Sequence, residues 1–207
     1  MQPTKKTFQS KFSGTLELID DGCKKRLNSK NANYSYGALQ TVLKFGLDQI
    51  DLAKVNSVLL LGLGGGSVIK TLRQDFKYQK SIIAVDIDPV IIDIAKTEFL
   101  LNEDKSLKII CQDAAQFLML NSETFDLIII DLFIDIQIPK VFLELKFWES
   151  VVASKSLNGI ILFNASVEKK RVSAVQFVVE YLKTKVYNVE IYDNVNGTNT
   201  LVISQSL

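Results

Sequence analysis

An apolar strand in this chain runs directly into a glycine-rich turn, and a second apolar strand follows that ends in an acid. The first strand and turn occupy residues 58–67 (VLLLGLGGGS), and the second strand with its acid occupies residues 84–89 (AVDIDP). Asp86 lies twenty residues after Gly66. This spacing is typical of a nucleoside-binding βαβ unit, in which the acid accepts hydrogen bonds from the ribose. The sequence therefore predicts a small-molecule site.

The composition is that of a folded protein with one sizeable domain. The chain has 207 residues, of which 47% are hydrophobic and 23% are charged, and its net charge is +1. We expect a leader of a hairpin and a helix over residues 1–50, and a nucleoside-binding domain over residues 51–207. The balanced charge gives no indication of nucleic-acid binding.

Residue types that the sequence lacks exclude several kinds of catalytic site. The chain has no histidine, which excludes Ser-His-Asp hydrolysis, Cys-His proteases and histidine metal sites. Cys23 and Cys111 form neither a zinc spacing nor a disulfide framework, and fit a reducing compartment. The sequence shows neither a hydrophobic signal core nor an apolar run of the roughly 18 residues that a membrane helix needs. We therefore expect a cytoplasmic protein that uses no metal.

From residue 56 onward, short apolar strands alternate with segments of helical spacing, which predicts an α/β fold with a mainly parallel sheet. The predicted strands are 57–61, 81–85, 107–111, 125–130 and 159–163, and the predicted helices are 67–75, a helix from 89, 113–120, 139–153 and 167–185. The hairpin signal Asn196-Gly197 joins two further strand-like segments, 187–194 and 198–204. We therefore expect an antiparallel hairpin to close a sheet of seven strands.

Two other segments carry specific expectations. A small amino-terminal hairpin is predicted from strands 15–20 and 23–27 around Asp21-Gly22, followed by a polar loop and a helix over 34–50. In the predicted helix 139–153, the spacing places one set of apolar residues on a buried side, namely Phe142, Leu145, Trp148 and Val152.

Several predicted strands end in an acid. Because ligands of an open parallel sheet bind beyond the carboxyl ends of its strands, we expect these acids to share one site. Asp86 is predicted to bind the ribose, and Asp88 to cap the next helix. Asp113 either receives a purine amino group or caps the helix that starts at Ala114. Asp131 follows an aliphatic strand, where partial burial raises the pKa of a carboxyl and suits a general base.

Four motifs together resemble class I S-adenosylmethionine-dependent methyltransferases, and most closely the spermidine synthase branch of that fold. They are the glycine turn 62–66, VDIDP at 85–89, QDA at 112–114 and FDLIIID at 125–131, within a resemblance that covers roughly residues 14–165. The resemblance implies a Rossmann-like fold whose last strand is antiparallel. It also implies S-adenosylmethionine or its decarboxylated form as donor, a small-molecule acceptor, and the homodimer that is common among synthases.

The resemblance implies roles for the matching residues. The donor-binding residues are expected to be Gly62, Gly64, Gly66, Asp86, Ile87, Asp113 and Ala114. Of these, the glycines would face the methionine-derived part, Asp86 the ribose hydroxyls and Asp113 the adenine. Asp131 would help to deprotonate the acceptor. The residues expected near the acceptor are Tyr34, Tyr36 and Asp135.

The chain departs from the synthases at three places. Gly65 replaces a usual aspartate, residues 34–36 read Tyr-Ser-Tyr instead of Tyr-His-Glu, and residues 131–135 read Asp-Leu-Phe-Ile-Asp instead of Asp-Ser-Ser/Thr-Asp-Pro. Because a polyamine carries several positive charges, its site needs carboxylates that pair with them. We therefore expect a more apolar pocket that is less suited to putrescine.

The sequence leaves three functions open. The first is aminopropyl or methyl transfer. The second is nucleoside binding without turnover, acting through a partner, for which exposed Tyr34, Tyr36, Phe133 or Trp148 would form the interface; Trp148 more often packs in a core. The third, an NAD-dependent oxidoreductase, is disfavoured because the glycine spacing is not that of the dinucleotide fingerprint.

Overall fold

The computed structural model describes residues 3–30, 33–35, 37–166, 173–185 and 188–205. Its first part is an antiparallel sheet of strands β1 (Thr4–Ser10), β2 (Gly14–Asp20), β3 (Lys25–Asn28) and β4 (Asn33–Ser35), in that order. The predicted hairpin is confirmed as β2 and β3. The sheet also contains β1, which the sequence analysis did not predict, and β4, which was predicted as the end of a loop and the start of a helix.

In the described residues, the main sheet has seven strands in the order β10-β11-β9-β8-β5-β6-β7. Its strands are β5 (Ser57–Leu61), β6 (Ser81–Asp86), β7 (Leu107–Cys111), β8 (Phe125–Ile130), β9 (Lys155–Ser166), β10 (Asn188–Val195) and β11 (Asn199–Gln205). Strands β5 to β9 pair in parallel, whereas β11 pairs antiparallel with both β9 and β10. The fold prediction, a mainly parallel sheet closed by an antiparallel hairpin, is confirmed.

Six described helices cover the two faces of this sheet. The predicted division of the chain into a leader over residues 1–50 and a domain over residues 51–207 stays a prediction. The helices are α1 (Ala38–Asp48), α2 (Ser67–Gln74), α3 (Pro89–Thr97), α4 (Ala114–Leu120), α5 (Leu145–Ala153) and α6 (Ser173–Lys185). Helices α1, α2 and α3 contribute to one buried apolar cluster, and α4, α5 and α6 to another. Because successive side chains of a strand point to opposite faces, Leu60 belongs to the first cluster and Leu59 and Leu61 to the second.

Two helix predictions need correction. Helix α1 begins at Ala38 instead of residue 34, after Gly37 at φ 98°. The predicted helix 139–153 is interrupted, because Glu144 is extended between a 3-10 turn (Lys140–Leu143) and α5. Leu145 is therefore exposed and Val152 only partly buried, while Phe142 and Trp148 are buried as predicted, together with Phe147 and Val151. The start of the predicted helix 167–185 lies outside the described residues.

The amino-terminal sheet is fixed to the main domain through α3. Leu16 and Leu27 pack with Ile91 and Ile94 in a third apolar cluster. The hydroxyls of Ser10 and Ser13 both donate to Oδ2 of the buried Asp88, the latter at 2.7 Å. These contacts bring the turn between β1 and β2 to the carboxyl edge of the main sheet. Within the described ranges, no helix is both long and apolar enough to cross a lipid bilayer.

Candidate nucleoside-binding site

A pocket of about 480 Å³ lies at the carboxyl edge of the main sheet, a volume in the range of small-molecule sites. The predicted site residues that line it are Gly62, Gly64, Asp86, Ile87, Asp113, Ala114, Asp131 and Asp135. The sheet order divides it into two halves. We call the side formed beyond β5, β6 and β7 the donor half, and the side formed by Asp131, residues 132–142 and the start of β11 the acceptor half.

The glycine turn connects β5 to α2 through backbone conformations that favour glycine. Gly62 has φ 94°, and a Cβ placed there would lie 2.2 Å from the carbonyl oxygen of Asp131. The missing side chain therefore allows the end of β5 to lie directly beside the end of β8. Gly66 has φ 81° and is the N-cap of α2, where a Cβ would lie 2.7 Å from Leu101 Cδ2. Gly66 is not among the residues that line the pocket.

Asp86 ends β6 and holds the glycine turn in place. Its Oδ2 accepts hydrogen bonds from the backbone N–H groups of Leu63 at 3.0 Å and Gly64 at 3.2 Å, and its Oδ1 accepts one from Asp88 N–H. Burial raises the pKa of Asp86 to about 6; the three backbone hydrogen bonds oppose this shift, and the charge of Asp88 adds to it. Asp86 thus combines a structural contact to the turn with a place in the pocket lining.

Asp88 and Asp113 are helix caps. Asp88 accepts from Val90 N–H at 2.9 Å at the start of α3, as predicted. Asp113 accepts from Gln116 N–H at 2.9 Å at the start of α4, which is the capping alternative for this residue. Since Asp113 also lines the pocket, the cap holds its carboxylate at the edge of the donor half.

Asp131 follows β8, and a chain of two side-chain amides holds its carboxylate in place. Its Oδ1 accepts from Asn164 Nδ2 at 2.9 Å, and Asn164 Oδ1 accepts from Asn199 Nδ2 at 3.0 Å. The Thr198 hydroxyl donates to Asn199 Oδ1 at 2.7 Å. Burial raises the pKa of Asp131 to about 6, against the effect of the Asn164 hydrogen bond and with a further contribution from the charge of Asp86.

Asn164 and Asn199 were not predicted as site residues from the sequence. Asn164 directly follows the predicted strand 159–163, so the rule that flagged acids at strand ends would have flagged this amide as well. Asn199 gives no such signal, because it comes beside Asn164 only through the antiparallel pairing of β11 with β9.

The acceptor half is largely apolar. We call its apolar side chains from the segment after β8 the apolar wall; they are Leu132, Phe133, Ile134, Ile136, Pro139, Val141 and Phe142. Asp135 lies in a tight turn of this segment at φ 56°, and its Oδ1 accepts from the Ser29 hydroxyl at 2.6 Å. The predicted apolar character of this side is therefore present in the structure.

The remaining candidate residues have separate positions. Tyr34 lies in β4, with its side chain outside what the structure describes, and Tyr36 is outside the described residues. Trp148 is fully buried and donates from Nε1 to the Phe142 carbonyl oxygen at 3.0 Å, so it is a core residue and not an interface residue. In the described part of the chain, no three Cys, Asp or Glu side chains form a group that could hold a metal ion.

Solved structures with this fold include both synthases and methyltransferases. A probable spermidine synthase from Corynebacterium glutamicum superposes with a TM-score of 0.79 at 16% identity, over 99% of this chain and 81% of that one. Human methyltransferase-like protein 13, solved in complex with SAH, superposes with a TM-score of 0.65 at 20% identity, over 82% and 79%. The architecture is thus the Rossmann-like fold that these two classes of protein share.

The family follows from the sequence match. The spermine/spermidine synthase domain matches residues 21–195, and the chain therefore belongs to this family. A polyamine aminopropyltransferase from Buchnera aphidicola is 27% identical over 190 residues, covering 89% of this chain and 64% of the relative. A probable polyamine aminopropyl transferase from Bifidobacterium longum is 28% identical over 112 residues, covering 54% of this chain and 24% of the relative.

Another relative is an eEF1A lysine and N-terminal methyltransferase from Danio rerio, 31% identical over 141 residues that cover 59% of this chain and 20% of the relative. The chain thus spans between one fifth and just under two thirds of the length of these three curated relatives.

Proposed function

We propose that this protein is a transferase that binds S-adenosylmethionine or its decarboxylated form and passes a methyl or aminopropyl group to a small acceptor. The observation that carries the proposal is the placement of Asp86 and Asp131 on either side of the glycine turn, in one pocket. Relatives named as aminopropyltransferases and as a methyltransferase support both kinds of transfer.

The donor half fits a cationic nucleoside. Four aspartates are among the described residues that line the whole pocket, and no lysine or arginine is among them. A pocket with this charge favours a sulfonium over a phosphate-bearing dinucleotide. In this proposal the backbone of Gly62 and Gly64 contacts the amino-acid side of the donor, Asp86 beside Ile87 accepts from the ribose hydroxyls, and Asp113 with Ala114 lies along the adenine.

In the acceptor half, Asp131 is the proposed base. Because its pKa is about 6, it is ionised at neutral pH and can take a proton from an acceptor amine. The freed nitrogen lone pair forms the new N–C bond, and the S–C bond breaks with its electron pair left on sulfur. The sulfonium becomes a neutral thioether, and its positive charge passes to the alkylated nitrogen. The protein contributes alignment of the two substrates and removal of the proton.

Two measurements test this function. Because a ligand that binds the native state raises its stability, S-adenosylmethionine, its decarboxylated form and NAD are compared by thermal shift. The protein is then incubated with each sulfonium donor and a mixture of primary amines, and S-adenosylhomocysteine and methylthioadenosine are measured by chromatography. We expect one donor to give its thioether. Binding of a donor without any thioether would favour a nucleoside-binding protein instead, and the absence of binding would refute both functions.

A further inference from the structure

We infer that the acceptor is a primary amine with one positive charge and an apolar body, and this inference rests on the proposed function. The acceptor half offers a carboxylate oxygen of Asp131 for an ammonium group and a largely apolar surface beyond it, in which Asp135 is held by Ser29. A diamine would bring a second charge onto that surface. Three features support this acceptor: Asp131, the other polar groups of the acceptor half, and the apolar wall.

Asp131 provides the anchor for the reacting nitrogen. Its Oδ1 accepts from Asn164, and within the described part of the chain Oδ2 takes part in no further hydrogen bond. A carboxylate held on one oxygen keeps the other available for an ammonium group, and such a charge-assisted hydrogen bond is short and strong. The same oxygen then receives the proton that the nitrogen must lose before it attacks.

The other polar groups of the acceptor half already have partners. Asn199 donates to Asn164 and accepts from Thr198. The carboxylate of Asp135 accepts from Ser29, which lies just after β3, and this hydrogen bond ties the turn to the amino-terminal sheet; Asp135 also takes part in a further interaction besides this hydrogen bond. An ammonium group at the far end of a diamine would compete for these groups, since a buried charge is costly unless it is paired.

The apolar wall is held by its own backbone. Ile134 and Gln137 exchange two backbone hydrogen bonds, at 2.9 and 3.1 Å, which close the turn that contains Asp135. Ile134 is 50% exposed and Val141 is 43% exposed, although both line the pocket. Covering apolar surface that is exposed to water at a binding site with an apolar group lowers the free energy of the complex. The wall therefore favours a hydrocarbon body next to the reacting nitrogen.

The test compares two acceptors of nearly the same shape, n-pentylamine and 1,4-diaminobutane, which differ in a terminal methyl or ammonium group. Thioether formation is measured with the donor that the protein uses. We expect kcat/KM for n-pentylamine to be at least about tenfold higher, the size of discrimination that one apolar group gives in such a pocket. An equal or higher value for 1,4-diaminobutane would overturn the inference and leave the proposed function intact. No thioether with either amine, under conditions in which the amine mixture gives one, would also overturn the inference and leave the proposed function intact.

A pair of variants ties the preference to the wall. The substitution Ile134→Asp places a carboxylate beside the far end of the acceptor, so it should reduce the n-pentylamine preference at least about fivefold, because the second ammonium gains a partner. The control Leu157→Asp adds the same charge at an 88% exposed position near the amino end of β9, away from the pocket, and should keep the ratio within about twofold. An unchanged ratio in Ile134→Asp would overturn the role of the wall.

Discussion

Replacement of Gly62 by alanine should destabilise the protein through a collision with the backbone of β8. The new Cβ would lie 2.2 Å from the Asp131 carbonyl oxygen and 2.9 Å from its carbonyl carbon, whereas ordinary contacts begin at 3.4 Å. The end of β8 would have to move by more than 1 Å. Gly62 also has φ 94°, a conformation that costs an alanine about 1–2 kcal/mol.

The magnitude follows from the two costs together. Overpacking of a tight site costs about 1–3 kcal/mol, so Gly62→Ala should lower the free energy of unfolding by about 2–5 kcal/mol. Gly197→Ala is a matched control, because Gly197 has φ 82° and a Cβ there would meet nothing within 4 Å. The control should lose only the conformational part, about 1–2 kcal/mol.

Urea denaturation of the wild type and both variants, followed by circular dichroism at pH 7.5, gives the three free energies of unfolding. We expect Gly62→Ala to be the less stable variant by at least about 1 kcal/mol. Equal losses in the two variants would refute the close approach of β5 and β8 at this position.

Three further predictions concern Asp131 and Asn164. Because the pKa of Asp131 is raised to about 6, kcat/KM should fall about tenfold per pH unit below pH 6, and an acid limb near pH 4 would contradict this. Asp131→Asn should reduce kcat by about 10²–10⁴-fold and keep the affinity for the donor. The raised pKa means that the folded state binds more protons than the unfolded state between the unfolded value of 3.8 and about 6. Asp131→Asn should therefore gain stability relative to wild type as the pH rises from 4 to 7, and a constant difference in urea midpoint would argue against a desolvated carboxyl. Asn164→Ala removes the hydrogen bond that lowers the Asp131 pKa, so the acid limb of kcat/KM should move above pH 6, and an unmoved limb would show that the amide chain does not act on Asp131.

The central strands were predictable because short aliphatic segments between polar turns are typical of the buried strands of a parallel sheet. The aliphatic segments of β5 and β8 match their predicted bounds, and β6 extends one residue further, to Asp86. The sequence Asp88-Pro89 gave the start of α3 because it combines a capping acid with the preferred first helical residue. The sequence Asn196-Gly197 predicted the terminal hairpin because these residue types tolerate the positive φ that its turn needs, and both adopt positive φ in the structure.

Elements that depend on distant partners were not predictable in this way. Strand β1 is mostly polar and exposed, so it has no apolar alternation, and its place is set by pairing with β2 from Thr4–Asp20 to Ser10–Gly14. The break at Glu144 has no proline or glycine to mark it. It coincides with the burial of Phe147 and Val151 in place of the predicted Leu145.

The site was predictable where it depends on strand ends. Asp86, Asp113 and Asp131 follow parallel strands, and the sheet brings all three to one pocket. Gly66 was expected to face the donor but does not line the pocket. Its position is explained by the start of α2 and by the contact with Leu101. The rule of strand ends did not give Asn199, because that contact depends on a strand that runs in the opposite direction.

The proposed donor site is tested most directly by the affinity of S-adenosylhomocysteine and methylthioadenosine for wild type, Asp86→Asn and Asp126→Asn, measured by isothermal titration. Asp126 is the control because it lies near the amino end of β8, where its carboxylate accepts from Asn56 N–H and the Ser156 hydroxyl. Hydrogen bonds to a charged group contribute about 1.5–3 kcal/mol. We therefore expect Asp86→Asn to bind the thioether nucleoside at least about tenfold more weakly and Asp126→Asn to bind like the wild type. Equal affinity of Asp86→Asn and wild type would contradict the proposal that this acid holds the ribose.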